Sequence, residues 1–137
     1  MNPAELAEME ALCFPNATVT WSEREYAAHI NSPTGITVSS EAGFAIGQIA
    51  ADEAEVITLG VLPEVRKEGH GTDLLALFVK EAKAKGAAVI FLEVSAENEA
   101  ALALYKAQGF ERVGRRRKYY ENAEGIAIDA FILKKTL

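Results

Sequence analysis

The sequence predicts a single α/β domain over residues 1–137, built on a central mixed and mostly antiparallel sheet with helices on both faces. Short apolar segments separated by turn residues fill 35–61 and predict an antiparallel meander. A strand, a glycine-bearing loop, a helix and a second strand then fill 55–94, which predicts a right-handed crossover between parallel strands. A last pair of strands over 110–133 predicts a β-hairpin that closes the sheet.

Composition limits the class of protein. The chain has 137 residues, half of them apolar, which matches one domain with a packed core. Its net charge of −6 argues against nucleic-acid binding, because phosphates require a basic surface. The longest strongly apolar run, 87–92, is far shorter than the roughly 18 residues of a membrane helix, and no leader is visible. We therefore expect a cytoplasmic protein that binds neither membrane nor nucleic acid.

Cysteine and metal chemistry are not indicated by the sequence. Cys13 has no second cysteine with which to form an internal disulfide, and it is interpreted as a small buried hydrophobe. No spacing of His, Cys, Asp and Glu is typical of a metal site, so no metal is expected.

Two helices are predicted at the start of the chain. Asn2–Glu5 supplies an N-cap, a proline at the first helical position and a glutamate that completes a capping box. Pro15 ends this helix. Ser22–Glu25 repeats the capping-box pattern, and the second helix is expected to end near 31–33.

The antiparallel meander is predicted from three short strands. Ile36–Val38 and Phe44–Ala50 are separated by turn-forming residues 41–43. A second turn at Asp52-Glu53 leads into the strand 55–61.

The loop 66–71 is the strongest local signal for a ligand. It stands between the strand 55–61 and a helix that is expected to begin near Thr72. Gly69 and Gly71 lack Cβ atoms at the point where backbone N–H groups would face a ligand, and the helix dipole adds positive potential. This junction suits an anion such as pyrophosphate. The sequence matches neither the P-loop pattern nor the full Gly-x-Gly-x-x-Gly pattern.

The second half of the chain is predicted to complete the sheet and its covering helices. Gly86 and Gly109 end two helices. The run 87–94 is almost continuously apolar, which is typical of a central parallel strand covered on both faces. The predicted elements are a helix over 72–85, a strand over 87–94, a helix over 98–108, and hairpin strands over 110–120 and 125–133.

Three motifs carry a resemblance to a known family. Arg-x-x-Gly-x-Gly at 66–71, after a strand ending in Val-x-Pro at 61–63, resembles the acetyl-coenzyme A loop of the GNAT N-acetyltransferase superfamily. Ala103–Phe110 is similar to the family's Ala-Leu-Tyr-x-x-x-Gly-Phe signature. The segment 116–120 resembles the Arg-x-Tyr-Tyr of bacterial RimI-type enzymes, which acetylate the N-terminal alanine of a small-subunit ribosomal protein. The resemblance covers nearly the full chain and implies a GNAT fold whose parallel strand pair is splayed to admit acetyl-coenzyme A.

The resemblance also implies roles for individual residues. Glu93 would be the general base, Tyr105 the general acid, and Tyr119 and Tyr120 would border the acceptor. Strand alternation would send the two tyrosines to opposite faces, so that at most one of them lines the site. The residues implied to bind acetyl-coenzyme A are Leu59, Gly60 and Val61 at the acetyl and pantetheine portion, Arg66, Lys67, Glu68, Gly69, His70, Gly71 and Thr72 at the pyrophosphate, and Asn98 at the pantetheine arm.

Acetyl transfer to an amine gives these residue types a chemical reason. An α-amine has a pKa of about 8, against about 10.4 for lysine, so a carboxylate acting through water deprotonates a peptide N-terminus more easily. A strand N–H near Leu59–Val61 would stabilise the developing oxyanion, and a phenol would donate a proton or a hydrogen bond to the departing thiolate.

The competing interpretations are a solvated carboxylate for Glu93 and an ordinary core aromatic for Tyr105. Glu93 stands between Leu92 and Val94, where an unpaired charge is costly, which favours function.

The acceptor side of the predicted site admits more than one interpretation. The basic run 115–118 is interpreted as a solvated edge strand rather than an RNA site, although it would also suit an acidic peptide. Ser95 and Lys118 depart from the RimI-type pattern on the acceptor side. The predicted function is acetylation of a protein N-terminus, in a ternary complex, by a monomer or weak homodimer. The rivals are acetylation of a small-molecule amine or lysine side chain, and a non-catalytic acyl-coenzyme A-binding module.

Overall fold

The computed structural model describes residues 1–122 and 124–137. These residues confirm the predicted α/β class, with every predicted helix and strand present to within a few residues at each end. The elements are α1 (Pro3–Cys13), α2 (Glu23–Asn31), β1 (Gly35–Ser40), β2 (Gly43–Ala50), β3 (Glu53–Val61), α3 (His70–Ala84), β4 (Val89–Ser95), α4 (Glu99–Ala107), β5 (Glu111–Glu121) and β6 (Ala127–Thr136), with a 3₁₀ turn at Pro63–Val65.

Both predicted capping boxes are confirmed. The side chain of Asn2 accepts a hydrogen bond from the Glu5 amide at 2.8 Å, and the Glu5 carboxylate accepts from the Asn2 amide at 3.0 Å. Ser22 and Glu25 make the same reciprocal pair at 3.1 and 3.2 Å. Each box satisfies two amides at a helix start, which fixes where α1 and α2 begin.

The six strands form one sheet in the order β1-β2-β3-β4-β6-β5. Four of the five strand pairs are antiparallel. The exception is β3 with β4, which pair in parallel at only three positions, 53–55 with 89–91. Beyond these positions the two strands diverge, so the sheet is open in its middle.

The helices cover the sheet unevenly. Helix α3 packs on β1, β2 and β3 with Leu75 and Phe78 in the main core, whereas α1 and α2 cover β1, β2 and β3 from the other side around Tyr26 and Phe44. Along β4 burial alternates between buried and half-buried residues. The prediction that β4 is covered on both faces is therefore wrong, because α1 and α2 pack over other strands.

Cys13 is buried at the end of α1, as predicted, and burial raises the pKa of its thiol to about 11.

Within 1–122 and 124–137, no helix is long and apolar enough to cross a membrane. Over the same residues, no three His, Cys, Asp or Glu side chains are grouped so that they could hold a metal ion.

Candidate active site

The divergence of β3 from β4 leaves one edge of β3 open. After 53–55, the hydrogen-bonded neighbour of β3 is β2 alone. A bulge at Ile57 adds to the distortion, because Val56 is opposite Gly47 while Thr58 is opposite Ile46. A bulge bends its strand and increases the local twist. The result is a gap between β3 and β4 that widens toward their C-terminal ends.

The direction of the backbone groups along β3 decides which of them face this gap. The Leu62 amide donates to the Ala42 carbonyl at 2.8 Å, on the β2 side. Because N–H groups alternate in direction along an antiparallel strand, those of Leu59 and Val61 point away from β2 and into the gap. The Val61 carbonyl confirms this direction, since it accepts a hydrogen bond at 3.1 Å from Nε of Arg66.

Gly60, the third residue predicted in this segment, has a different role. A Cβ atom at this position would lie 2.9 Å from ring atoms of Phe14 and Phe44 and 3.0 Å from Cβ of Cys13. These distances are shorter than side chains tolerate, so glycine lets the end of α1 pack against β3. By the same alternation, the Gly60 amide points toward β2.

The loop that follows β3 presents a row of free amides. Gly69 adopts φ +87°, which is natural for glycine, and Lys67 adopts φ +66°. The first hydrogen bond of α3 joins the Asp73 amide to the Gly69 carbonyl at 3.1 Å. Within the described residues, no amide of 66–72 donates a hydrogen bond. These amides lie at the positive end of α3, an arrangement that suits a diphosphate.

Gly71 allows the start of α3 to approach α4. A Cβ atom there would lie 3.2 Å from Cδ2 of Leu104, and about 4 Å from the side chains of Leu59 and Val61. The helix end that carries the free amides is thus packed closely against both β3 and α4.

The side chain of Arg66 is engaged by the protein itself. Nη2 donates to the Cys13 carbonyl at 2.7 Å, in addition to the contact of Nε with Val61. Arg66 therefore ties the loop to the ends of α1 and β3. Within the described part of the chain, the polar contact of the His70 side chain is a distant one, with Nε2 4.0 Å from a carboxylate oxygen of Glu68.

Glu93 lies on β4, beside the gap, opposite Ile132 of β6. Its side chain is 28% exposed, because burial alternates along β4 and Glu93 lies on the less covered face of this strand. A single nitrogen of Arg116, Nη1, donates to both carboxylate oxygens, at 3.0 and 3.2 Å. Glu93 also lines a groove of about 300 Å³, together with Phe91 and Ile132.

Tyr105 lies on α4 and is 8% exposed. Its ring packs edge-on against Phe110, with centroids 5.5 Å apart, so it is a core aromatic as well as a candidate acid. Burial raises the pKa of its phenol to about 12, and Tyr120 contributes to the same shift. No hydrogen bond of the Tyr105 hydroxyl occurs within the described residues, and because no buried side-chain oxygen or nitrogen there lacks a partner, this hydroxyl must reach the protein surface.

Asn98 is the N-cap of α4. Its Oδ1 accepts a hydrogen bond from the Ala101 amide at 3.1 Å, which fixes the orientation of the side chain. The Nδ2 group remains able to donate.

The two tyrosines of β5 lie side by side. The rings of Tyr119 and Tyr120 contact each other with centroids 4.9 Å apart. The prediction that they point to opposite faces is therefore wrong. Strand alternation is interrupted because residues 117–119 face the single residue Asp129 of β6, and Lys118 adopts φ +55°.

Asp129 holds this bulge in place. Its Oδ1 accepts from the Lys118 amide at 2.9 Å, and its Oδ2 lies 2.9 Å from Nε of Arg115. Neither Asp129 nor the Arg116–Glu93 pair was identified from the sequence. In both cases an acidic residue on another strand lies near the basic run 115–118. This proximity can be recognised only when the strand register is known.

The comparisons with known proteins agree with this geometry. Residues 4–110 match the acetyltransferase (GNAT) family. The chain is 34% identical over 119 residues to the [ribosomal protein bS18]-alanine N-acetyltransferase of Escherichia coli K12, covering 86% of this chain and 79% of that protein. It is 36% identical over 108 residues to the N-alpha-acetyltransferase RimI of Mycobacterium tuberculosis, covering 78% of this chain and 65% of that protein.

Solved structures show the same fold. The crystal structure of the ribosomal-protein-S18-alanine N-acetyltransferase from E. coli superposes with a TM-score of 0.82 at 30% identity, over 98% of this chain and 86% of that one. Arabidopsis thaliana NAA60 in complex with acetyl-CoA superposes with a TM-score of 0.79 at 20% identity, over 100% and 96% of the two chains, which is a likeness of fold. The family predicted from the sequence is confirmed, and this chain belongs to the GNAT acetyltransferases.

Proposed function

We propose that this protein transfers the acetyl group of acetyl-CoA to the N-terminal α-amine of a protein, with a ribosomal protein that begins with alanine as the acceptor. The observation that carries the proposal is the gap between β3 and β4, which is bordered by free amides on one side and by Glu93 on the other. The acceptor class is supported by relatives that are alanine N-acetyltransferases of a ribosomal protein.

The free amides fit the co-substrate. The amides of 66–72, at the positive end of α3, would hold the pyrophosphate, with glycine at 69 and 71 keeping side chains away. The amides of Leu59 and Val61 and the Nδ2 of Asn98 would bind the pantetheine and acetyl portion. Acetyl-CoA supplies an activated thioester carbonyl, and the protein orients it in the gap.

Glu93 would remove the proton from the acceptor amine through a water molecule. At pH 7 deprotonation costs about 1.4 kcal/mol for an α-amine of pKa about 8, and about 4.6 kcal/mol for a lysine of pKa about 10.4. The difference of about 3 kcal/mol favours a protein N-terminus over a lysine side chain. A partly exposed carboxylate that admits water is suited to this relayed transfer.

The oxyanion that develops on the thioester would be stabilised by an amide of β3. Leu59 and Val61 both direct an N–H into the gap, on a strand that is fixed by its pairing with β2. A donor that is held in place before the reaction needs no reorganisation when charge develops.

Tyr105 would assist the departing thiolate by hydrogen bonding. With its pKa raised to about 12, the phenol stays neutral and able to donate at every physiological pH. Complete proton transfer to a thiolate whose conjugate thiol has a pKa of about 8.5 would be uphill by about 5 kcal/mol. We therefore assign Tyr105 a hydrogen bond to the thiolate, and the thiolate then takes its proton from solvent.

The proposed reaction also leads to proposals for the cellular location and the oligomeric state of the protein. Ribosomal proteins and acetyl-CoA meet in the cytoplasm, so we propose a cytoplasmic location. We expect the protein to act as a monomer or weak homodimer, because the residues assigned to the reaction all come from one chain.

A panel of acceptors tests the proposal. Peptides that begin with alanine are incubated with acetyl-CoA, alongside the same peptides blocked at the N-terminus, a blocked peptide with an internal lysine, and small-molecule amines. Mass spectrometry should find one acetyl group at the free alanine N-terminus and none on the blocked peptides. Turnover restricted to lysine or small amines would replace the proposed acceptor, and acetyl-CoA binding without turnover of any amine would indicate a binding module.

A further inference from the structure

The guanidinium of Arg116 is the partner of the candidate base. Its Nη1 lies 3.0 and 3.2 Å from the two oxygens of Glu93, although Arg116 is on β5 and Glu93 on β4, with β6 between them. Arg116 is opposite Ala130, whose small side chain lets the arginine reach across β6.

A second contact holds the guanidinium in place. It lies 4.0 Å above the ring of Tyr119, within the range of a cation–π interaction. Tyr119 follows the bulge at 117–119, so the position of the guanidinium depends on the hairpin that borders the acceptor side of the gap. Arg116 therefore connects the candidate base to the segment expected to contact the acceptor.

The contact leaves Glu93 able to act. A carboxylate offers about four lone-pair positions, and one bridging nitrogen occupies the two that face it. The remaining positions can accept a hydrogen bond from water. The orientation of the carboxylate is fixed at the same time, which a base that acts through a water molecule requires.

The charge of Arg116 has a further consequence for the acceptor. An unpaired Glu93 carboxylate would attract the acceptor in its ammonium form and hold it in an ion pair. The ammonium form is unreactive, because its nitrogen has no free lone pair. The guanidinium compensates the carboxylate charge and so weakens this unproductive complex. Loss of Arg116 should then lower kcat while the KM for the acceptor stays the same or falls, because a ground-state complex has been strengthened.

We infer that Arg116 is a positioning residue for acetyl transfer: it orients the Glu93 carboxylate from across the sheet and neutralises its charge toward the incoming ammonium group. The inference rests on the proposed function, because it assigns Arg116 its role through Glu93.

Two substitutions of the same type test it. R116Q removes the charge and keeps much of the side-chain length, and R24Q removes an equal charge on the exposed face of α2, where no ion pair occurs within the described residues. With an alanine-starting peptide as acceptor, R116Q should lower kcat about tenfold or more with KM unchanged or reduced, whereas R24Q should stay within about twofold of the wild type. R116K should recover part of the loss, since one nitrogen makes both contacts and an ammonium group can replace it.

The outcomes are separable. Equal kcat for R116Q, R24Q and wild type would overturn the role of Arg116 and leave the proposed function standing. A raised KM with unchanged kcat would overturn it as well, because Arg116 would then bind the acceptor directly. Failure of the wild type itself to acetylate the peptide would count against the proposed function, whatever the variants do. Thermal unfolding of each variant separates these effects from a loss of folded protein.

Discussion

Glu93 and Arg116 form an ion pair 3.0 Å long between strands that are not neighbours in the sheet. The pair spans β6, on the side of β4 that faces away from β3. Hydrogen bonding to Glu93 raises the pKa of the Arg116 side chain further, so the arginine keeps its charge throughout the accessible pH range. The candidate base is thus paired with a charged group, whereas Glu53 and Glu55, which line the same groove, make no ion pair within the described residues.

Replacing Glu93 by glutamine should lower kcat by roughly 10²–10⁴-fold, the usual effect of losing a general base. Glutamine keeps the size of the side chain, so the affinity for acetyl-CoA should remain close to that of the wild type. Steady-state kinetics with an alanine-starting peptide, together with calorimetric titration of acetyl-CoA, measures both quantities. The exposed Glu81 of α3 offers a control, as E81Q removes the same charge away from the gap. A kcat for E93Q close to that of E81Q would remove Glu93 from the proposed role.

Replacing Tyr105 by phenylalanine should lower kcat by about 10- to 100-fold, because a hydrogen bond to a charged group contributes about 1.5–3 kcal/mol, and the shape of the pH profile should not change. For the wild type, kcat/KM should rise with pH as the acceptor amine loses its proton near pH 8 and then stay level to about pH 10. The reason is that burial raises the pKa of Tyr105 to about 12, so the phenol keeps its proton over this range. A fall in kcat/KM between pH 8 and 10 that disappears in Y105F would contradict the raised pKa.

The same shift predicts a contribution to stability with a defined sign. The phenol of Tyr105 has a pKa of about 12 in the folded protein and about 10 when unfolded. The stabilisation is therefore fully present below pH 10 and is lost as the pH rises toward 12. The wild-type protein should lose more stability than Y105F over that interval, as measured by denaturant unfolding at each pH.

The features that were predictable from the sequence are those that depend on residues close together along the chain. The capping boxes at Asn2 and Ser22 and the glycine loop after β3 are short-range patterns, and the structure has them where they were expected. The contacts of Arg116 and the paired rings of Tyr119 and Tyr120 were not predictable, because they depend on the β5–β6 register and on the bulge opposite Asp129. Side-chain direction reverses with each inserted residue, so an undetected bulge misplaces every residue that follows it.

Arg66 offers a test of whether the loop is held by the protein or by its ligand. R66Q removes the hydrogen bonds to the Val61 and Cys13 carbonyls, at 3.1 and 2.7 Å. We expect the free energy of unfolding to fall by about 1–3 kcal/mol, since each of the two bonds contributes about 0.5–1.5 kcal/mol, with weaker acetyl-CoA binding as a consequence. R24Q, on the exposed face of α2, is a control for loss of charge. Weaker binding with unchanged stability would show instead that the guanidinium acts on the pyrophosphate itself.

Gly71 tests the placement of the pyrophosphate. A valine there would bring its Cβ to 3.2 Å from Cδ2 of Leu104 and its methyl groups toward Leu59 and Val61. Relief of these contacts requires the start of α3 to move, and the free amides of 70–72 move with it. G71V should therefore raise the Kd for acetyl-CoA about tenfold or more, or about 1.4 kcal/mol, in a calorimetric titration.

Two further variants separate crowding from a general loss of fold. G71A adds only the Cβ, which faces the flexible end of Leu104, so its Kd should stay within a few fold of the wild type. Combining G71V with L104A removes the atom nearest to the new side chain and should restore part of the affinity, because the two positions are in contact and their effects are coupled. If G71V binds acetyl-CoA as tightly as the wild type, the amides at the start of α3 do not hold the pyrophosphate. That result would require the diphosphate to bind elsewhere along the gap.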